Sequence, residues 1–301
     1  MAGISDFFDI CANLYRFHGI TDLNQIQKLA HRNNRWVNYN ENLYFSDTDD
    51  MTGIDIIKYL PKIYSTIIPE LNKHNNSPLV IALPHTNLIY LLIFSLIQYF
   101  FQHNRKTYIV DHPDFYHKNY YKKLNFILKE SFDTEFIALK KGLTLPKIEL
   151  KRNKKPVFIV FYDIPPAKIQ NSTNIDFLNN NIYVSDTVLK VARYLQAPIL
   201  PMITYLTNFK VQTQTLSCLN IINSDTNQHT NRGYLLKLFA PLHNLLTQDI
   251  DQWLIWKYFN LFYPVNKNNT AKKTEILQVS CHNKICRLNL INGKKIIVSK
   301  A

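Results

Sequence analysis

Residues 77–101 read SPLVIALPHTNLIYLLIFSLIQYFF, and they hold a single group that titrates near neutral pH, His85. Five apolar residues, Leu79 to Leu83, lead to Pro84 and suit a strand buried on both faces. After the histidine, Leu88 to Phe101 is long enough for a helix but short of the roughly 20 residues that cross a bilayer. His85 therefore stands where a strand ends and a helix begins. Open α/β sheets bind their ligands at that place.

The same rhythm continues outward. KTYIVDH (106–112), TEFIAL (134–139), PVFIVFYD (156–163) and APILPMITYL (197–206) read as strands. Helical spacing marks 119–131, 144–155 and 185–196, the last with Ser185 as its N-cap, and an Asn-rich polar loop fills 168–180. Strands alternating with helices imply a mostly parallel sheet covered on both sides. The expected fold is a three-layer α/β/α sandwich. Residues 1–75 precede it as a helical part, from apolar positions such as Phe7, Cys11, Leu14, Ile26, Ile54, Ile57 and Leu60, with Pro61 as a break or restart. DIDQWLIWKYFNLFYP (249–264) reads as an aromatic amphipathic helix. Residues 275–299 alternate, with turns at His282-Asn283 and Asn292-Gly293, and read as a small β-meander. The expected division is one domain over 1–265 and an appendage over 274–301.

Composition narrows the chemistry. Lys and Arg number 35 against 22 Asp and Glu, a formal charge of +13, which favours an anionic partner such as an acidic protein, a membrane surface or nucleic acid. The plainer alternative is that the lysines only keep the protein soluble. No nucleic-acid-binding module is recognisable, so nucleic acid is not expected. Six glycines form neither a dinucleotide fingerprint nor a P-loop, and no Gly-x-Ser-x-Gly elbow occurs. Four scattered cysteines make no disulfide scaffold. Cys281-His282…Cys286 is a weak metal pattern without a second pair, so no metal is expected. The N-terminus lacks a basic start before an apolar stretch, and the expected location is cytoplasmic, with peripheral contact to the inner face of the membrane as an option.

The collinear order LVIALPHTNLIYLL … KKPVFIVFYD … IDFLNNNIYVSDTVLKVARYLQAPILPMI … DIDQWLIW resembles the lauroyl/myristoyl acyltransferases of lipid A biosynthesis, within the lysophospholipid acyltransferase-like group. The resemblance covers about residues 75–262. It places His85 on the catalytic histidine, Asp163 on a strand-ending acid and Phe177-Leu178 on a Phe-Leu pair. Ala197-Pro198 falls on a turn, and Asp251-Gln252-Trp253…Trp256 on a late aromatic helix. It departs from the family at the acid five residues after the histidine, here Tyr90, and at glycines replaced by Asn87, Asn179 and Ser185.

What the resemblance implies is acyl or aminoacyl transfer from a carrier-bound thioester to a hydroxyl or amine. The donor would ride on phosphopantetheine, of an acyl or peptidyl carrier protein or coenzyme A, with no bound cofactor. His85 would be the general base, because an imidazole titrating near neutrality suits proton removal from an attacking acceptor. Asp163 or Asp111, each ending a strand on the same edge, could orient it; Tyr90 could do so through its hydroxyl. An amine acceptor would lean less on the base than a sugar hydroxyl. Asn87, Lys151, Arg152 and Arg193 are candidate substrate contacts. The basic run Lys147, Lys151, Arg152, Lys154 and Lys155 is either a dock for an acidic carrier or a solvated face. The alternative reading is a degenerate relative, without catalysis, kept as a binding or partner protein.

Overall fold

The computed structural model describes residues 2–45, 60–111, 132–138, 155–166, 172–207, 210–221, 228–262, 276–281, 284–289 and 295–299. Two expected helices, 119–131 and nearly all of 144–155, lie outside them, as do Ile54 and Ile57.

The protein is a mixed α/β structure built on a mostly parallel central sheet. Strand β1 (Leu79–Leu83) is buried at every residue, as its uninterrupted apolar run requires. It pairs in parallel with β4 (Val157–Phe161) on one side and β7 (Ile199–Thr207) on the other. β2 (Thr107–Asp111) joins β4, and β3 (Thr134–Ala138) joins β2, both in parallel. β8 (Lys210–Thr215) closes the opposite edge antiparallel to β7, so the spatial order is β3-β2-β4-β1-β7-β8.

Strand side chains alternate between two cores. Leu79, Ile81, Leu83, Val157, Ile159 and Phe161 pack with helices α3 (Leu60–Asn72) and α4 (Ile89–Gln102). Pro61 sits in the first turn of α3, where a missing N–H costs nothing. α4 is apolar almost all round because most of its residues are buried, and the buried Ser95 hydroxyl donates back to the Leu91 carbonyl. Val80, Ala82, Phe158 and Val160 face the other way. There they meet α1 (Ala2–His18), the first half of α2 (Leu23–Phe45), α5 (Thr187–Leu195) and α6 (Gln228–Gln248).

Three local expectations need correction. The Asn-rich segment is a hairpin, β5 (Ser172–Phe177) against β6 (Asn180–Ser185). Its two turn residues, Leu178 and Asn179, both take positive φ, 50° and 60°, the geometry of a type I′ turn matched to strand twist. Ser185 therefore ends a strand, and Asp186 is the N-cap of α5; the Ser185 hydroxyl still accepts the Thr187 N–H. Within the expected helix 249–264, the described residues 249–262 are not one α-helix. Ile250–Gln252 and Trp256–Phe262 are 3₁₀ turns, with extended Trp253 between them bridging Thr86. Trp256, Phe259 and Phe262 recur every three residues, the 3₁₀ repeat rather than 3.6, and all three are fully buried. These rings, with Trp253, form core.

The C-terminal residues form an antiparallel sheet of β9 (Ile276–Cys281), β10 (Lys284–Asn289) and β11 (Lys295–Ser299), in the order β11-β10-β9. Leu277 and Leu288 join the core shared with α1. Among the described residues, no helix is long and apolar enough to cross a membrane.

Candidate active site

Leu83 and Phe161 are register partners on neighbouring parallel strands. His85 and Asp163 each lie two residues beyond that pair, so both leave the sheet on the same rim and the same face. Their side chains meet there. His85 Nδ1 lies 2.8 Å from Asp163 Oδ1. The His85 backbone N–H donates to Asp163 Oδ2 at 2.7 Å, and the indole N–H of Trp253 donates to the same oxygen at 2.7 Å.

A fully buried carboxylate is costly unless its charge is met by donors; three converge on Asp163. The carboxylate only accepts, so Nδ1 must carry the proton of a neutral ring and Nε2 must carry the lone pair. The ring is held on its other sides too. It stacks on Phe161 with centroids 4.0 Å apart and planes 18° from parallel. The His85 carbonyl accepts the Leu254 N–H at 2.8 Å. The side chain remains 10% exposed. Next in the chain, Thr86 donates its hydroxyl to the Thr204 carbonyl of β7 at 2.6 Å, tying the rim together.

The segment carrying Trp253 is fixed by polar side chains reaching in from distant elements. Asn33 of α2 donates to the carbonyls of Asp251 and Trp253 at 2.9 and 2.6 Å. Asn13 of α1 donates to the Trp256 carbonyl at 2.6 Å. Gln252 exchanges bonds with the Leu206 backbone, and the Trp256 indole donates to the Ile250 carbonyl. Such clamps fix the short 3₁₀ turns, with their poorer hydrogen-bond geometry, from outside the segment. Phe177 of the hairpin packs edge-on against Trp253, centroids 5.6 Å apart, so β5 backs the ring that supports Asp163. Beyond Phe177 a cavity of about 210 Å³ opens between the hairpin and α6, lined by Asp176, Phe239 and His243 among others. Beside Asp163, burial and then the carboxylate's charge raise the Tyr162 hydroxyl well above its ordinary value, which keeps it neutral.

Of the expected site residues, the structure brings together His85 and Asp163. Asp111 ends β2 at the level of Ala138, one strand beyond β4 from His85; its side chain is outside the described residues, as are Lys151 and Arg152. Tyr90 is the second residue of α4, half-buried against the α3–α4 core. Asn87 is fully buried between Thr86 and Leu88. Arg193 of α5 is turned to α6, donating to Asn231 at 2.6 Å. Trp253, Phe161 and Thr86 were not singled out by sequence as site residues. The resemblance placed Trp253 on a late aromatic helix without giving it a role; its Asp-Gln-Trp context adds that an indole N–H needs an acceptor.

No family model matches this chain, and no curated protein is significantly similar to it.

Proposed function

We propose that this chain is an acyltransferase, moving an acyl or aminoacyl group from a phosphopantetheine thioester to a hydroxyl or amine. The observation that supports this most is the His85–Asp163 pair. The acid that the resemblance expects at Tyr90 is supplied from the end of β4, so the histidine keeps an orienting carboxylate. The same observation weighs against the reading as a degenerate binding protein.

The chemistry follows from that geometry. As the acceptor oxygen or nitrogen attacks the thioester carbonyl, His85 Nε2 takes its proton. Asp163 holds the Nδ1–H tautomer and stabilises the imidazolium that forms. The tetrahedral intermediate then collapses: the carbon–sulfur bond breaks, and the imidazolium returns the proton to the leaving sulfur. Atoms and charge balance without a metal or a redox cofactor.

The finer placement belongs to the same proposal. The alternation of strand side chains into two cores supports a three-layer α/β/α sandwich, with the β9–β11 sheet as an appended meander. The carrier would be acidic, attracted by the charge of +13 and docked at the basic run 147–155. The protein would work in the cytoplasm, free or against the inner membrane face.

The test uses the full chain with acyl- and aminoacyl-loaded carrier protein and with the corresponding coenzyme A thioesters. Candidate hydroxyl and amine acceptors are scanned by mass spectrometry. Transfer is expected with wild type and absent with His85→Ala, whose circular dichroism should match wild type. Equal product from both proteins refutes the proposal.

A further inference from the structure

At the opposite edge of the sheet, where β1 and β7 begin, three side chains of metal-binding type converge. Glu70 and His74 lie one turn apart at the end of α3, and Cys218 lies in the segment after β8. His74 Nε2 is 3.3 Å from Cys218 Sγ and 3.7 Å from Glu70 Oε1. The three ligand atoms lie within 4.8 Å of one another. A tetrahedral zinc ion, with sulfur at about 2.3 Å and nitrogen and oxygen at about 2.0–2.1 Å, would set its ligand atoms about 3.4–3.6 Å apart. The two separations from His74 bracket that figure.

The backbones that carry these groups are already held. Arg105, buried to 3% exposure, donates to the carbonyls of His74, Ser77 and Lys155 at 2.8, 2.6 and 3.1 Å. Leu219, next to Cys218, exchanges two backbone hydrogen bonds with Ile199 at the start of β7. The neighbouring cations are already engaged: Arg105 binds those carbonyls, and Lys73 pairs with the second oxygen of Glu70 itself at 2.5 Å. That contact leaves Glu70 Oε1 turned towards the histidine. The cluster is partly exposed, with His74 at 17% and Glu70 at 25%, so an ion has a way in.

We propose that Glu70, His74 and Cys218 form a binding site for a zinc-class divalent cation, with water completing the coordination. The ion would clamp α3 to a segment 144 residues further along the chain, remote from His85 and independent of the acyl-transfer reading.

The test titrates chelator-washed full-length protein with zinc alone, followed by calorimetry, and with cobalt(II), followed by its thiolate charge-transfer absorption. One ion per chain is expected. Cys218→Ser and His74→Gln should each weaken zinc by at least about tenfold, and Cys218→Ser should abolish the cobalt–thiolate band. The band should survive in a Cys281→Ser/Cys286→Ser double variant. Zinc should raise the thermal midpoint of wild type and not that of His74→Gln, a readout that stands if Cys218→Ser folds poorly. Failure of wild type to bind at micromolar zinc overturns the proposal. So does a band that depends on Cys281 and Cys286 instead.

Discussion

One carboxylate carries the most consequence at the scale of single residues. Asp163 accepts from the His85 ring, the His85 backbone and the Trp253 indole. Asp163→Asn keeps the shape but presents an amide that can leave the imidazole in the wrong tautomer. Transfer should fall by about four orders of magnitude, as when a triad acid is neutralised, with KM changed far less than kcat. Trp253→Phe keeps a ring against Phe177 and removes one bond to a charged acceptor, which should lower stability by about 1.5–3 kcal/mol in urea unfolding. Its rate should fall less than that of Asp163→Asn. A second acid makes a different prediction. Asp251 is 2% exposed; burial raises its carboxyl above the ordinary 3.8, and the Arg32 guanidinium at 3.0 Å pulls only part of the way back. A folded-state value above the unfolded one gives stability that is full below 3.8 and lost as pH rises through the folded value. Asp251→Asn should remove that loss, so the variant should unfold at higher urea than wild type at neutral pH, with a flatter pH profile between acid and neutral. A variant less stable than wild type at neutral pH would contradict this. The sequence left Asp111, Asp163 and Tyr90 all open as partners of His85. What separates Asp163 from Asp111 is strand order and the Leu83–Phe161 register, and neither is a local property.

Among the elements, the strands of the parallel sheet were legible because burial on both faces demands unbroken apolar runs, as in Leu79–Leu83 and Val157–Phe161. The β5–β6 hairpin was not. It alternates only in part, and its turn dipeptide Leu178-Asn179 lacks the glycine that advertises positive φ. Asn179 tolerates that conformation better than most residues, because its short polar side chain can hydrogen-bond locally. Asn179→Ala should therefore cost about 1–2 kcal/mol, while Asn179→Gly should be close to neutral in thermal unfolding; equal effects would remove the backbone explanation. α6 carries Gly233 and Pro241 within its length, two helix breakers that blur its pattern. It nevertheless forms, because Leu235, Leu238, Leu242 and Leu246 reach the core. The aromatic 3₁₀ turns were mistaken for an α-helix since spacings of three and of 3.6 diverge only slowly over so short a run.

Across the whole molecule, contacts between distant parts of the chain assemble the site. α1 and α2 send Asn13 and Asn33 to the Trp253 segment, which in turn reaches Asp163 and His85. No reading of the neighbourhood of His85 alone could show that chain of support. The paired separation of Glu70 and His74 is visible in sequence, but Cys218 is joined to them only by the fold. The C-terminal sheet shares its Leu277 and Leu288 with the core of α1. Leu288→Ala should accordingly lower the stability of the entire chain by about 2–5 kcal/mol, in one cooperative transition; a separate early transition would show the sheet to be an independent unit. The claim on which the rest depends is that His85, oriented by Asp163, removes the acceptor's proton. Single-turnover transfer from a loaded carrier, timed in wild type, Asp163→Asn and His85→Ala preparations of equal secondary structure, tests it most directly. The rates should fall by about four orders of magnitude in the first variant and to the uncatalysed background in the second; a wild-type rate in either would contradict it.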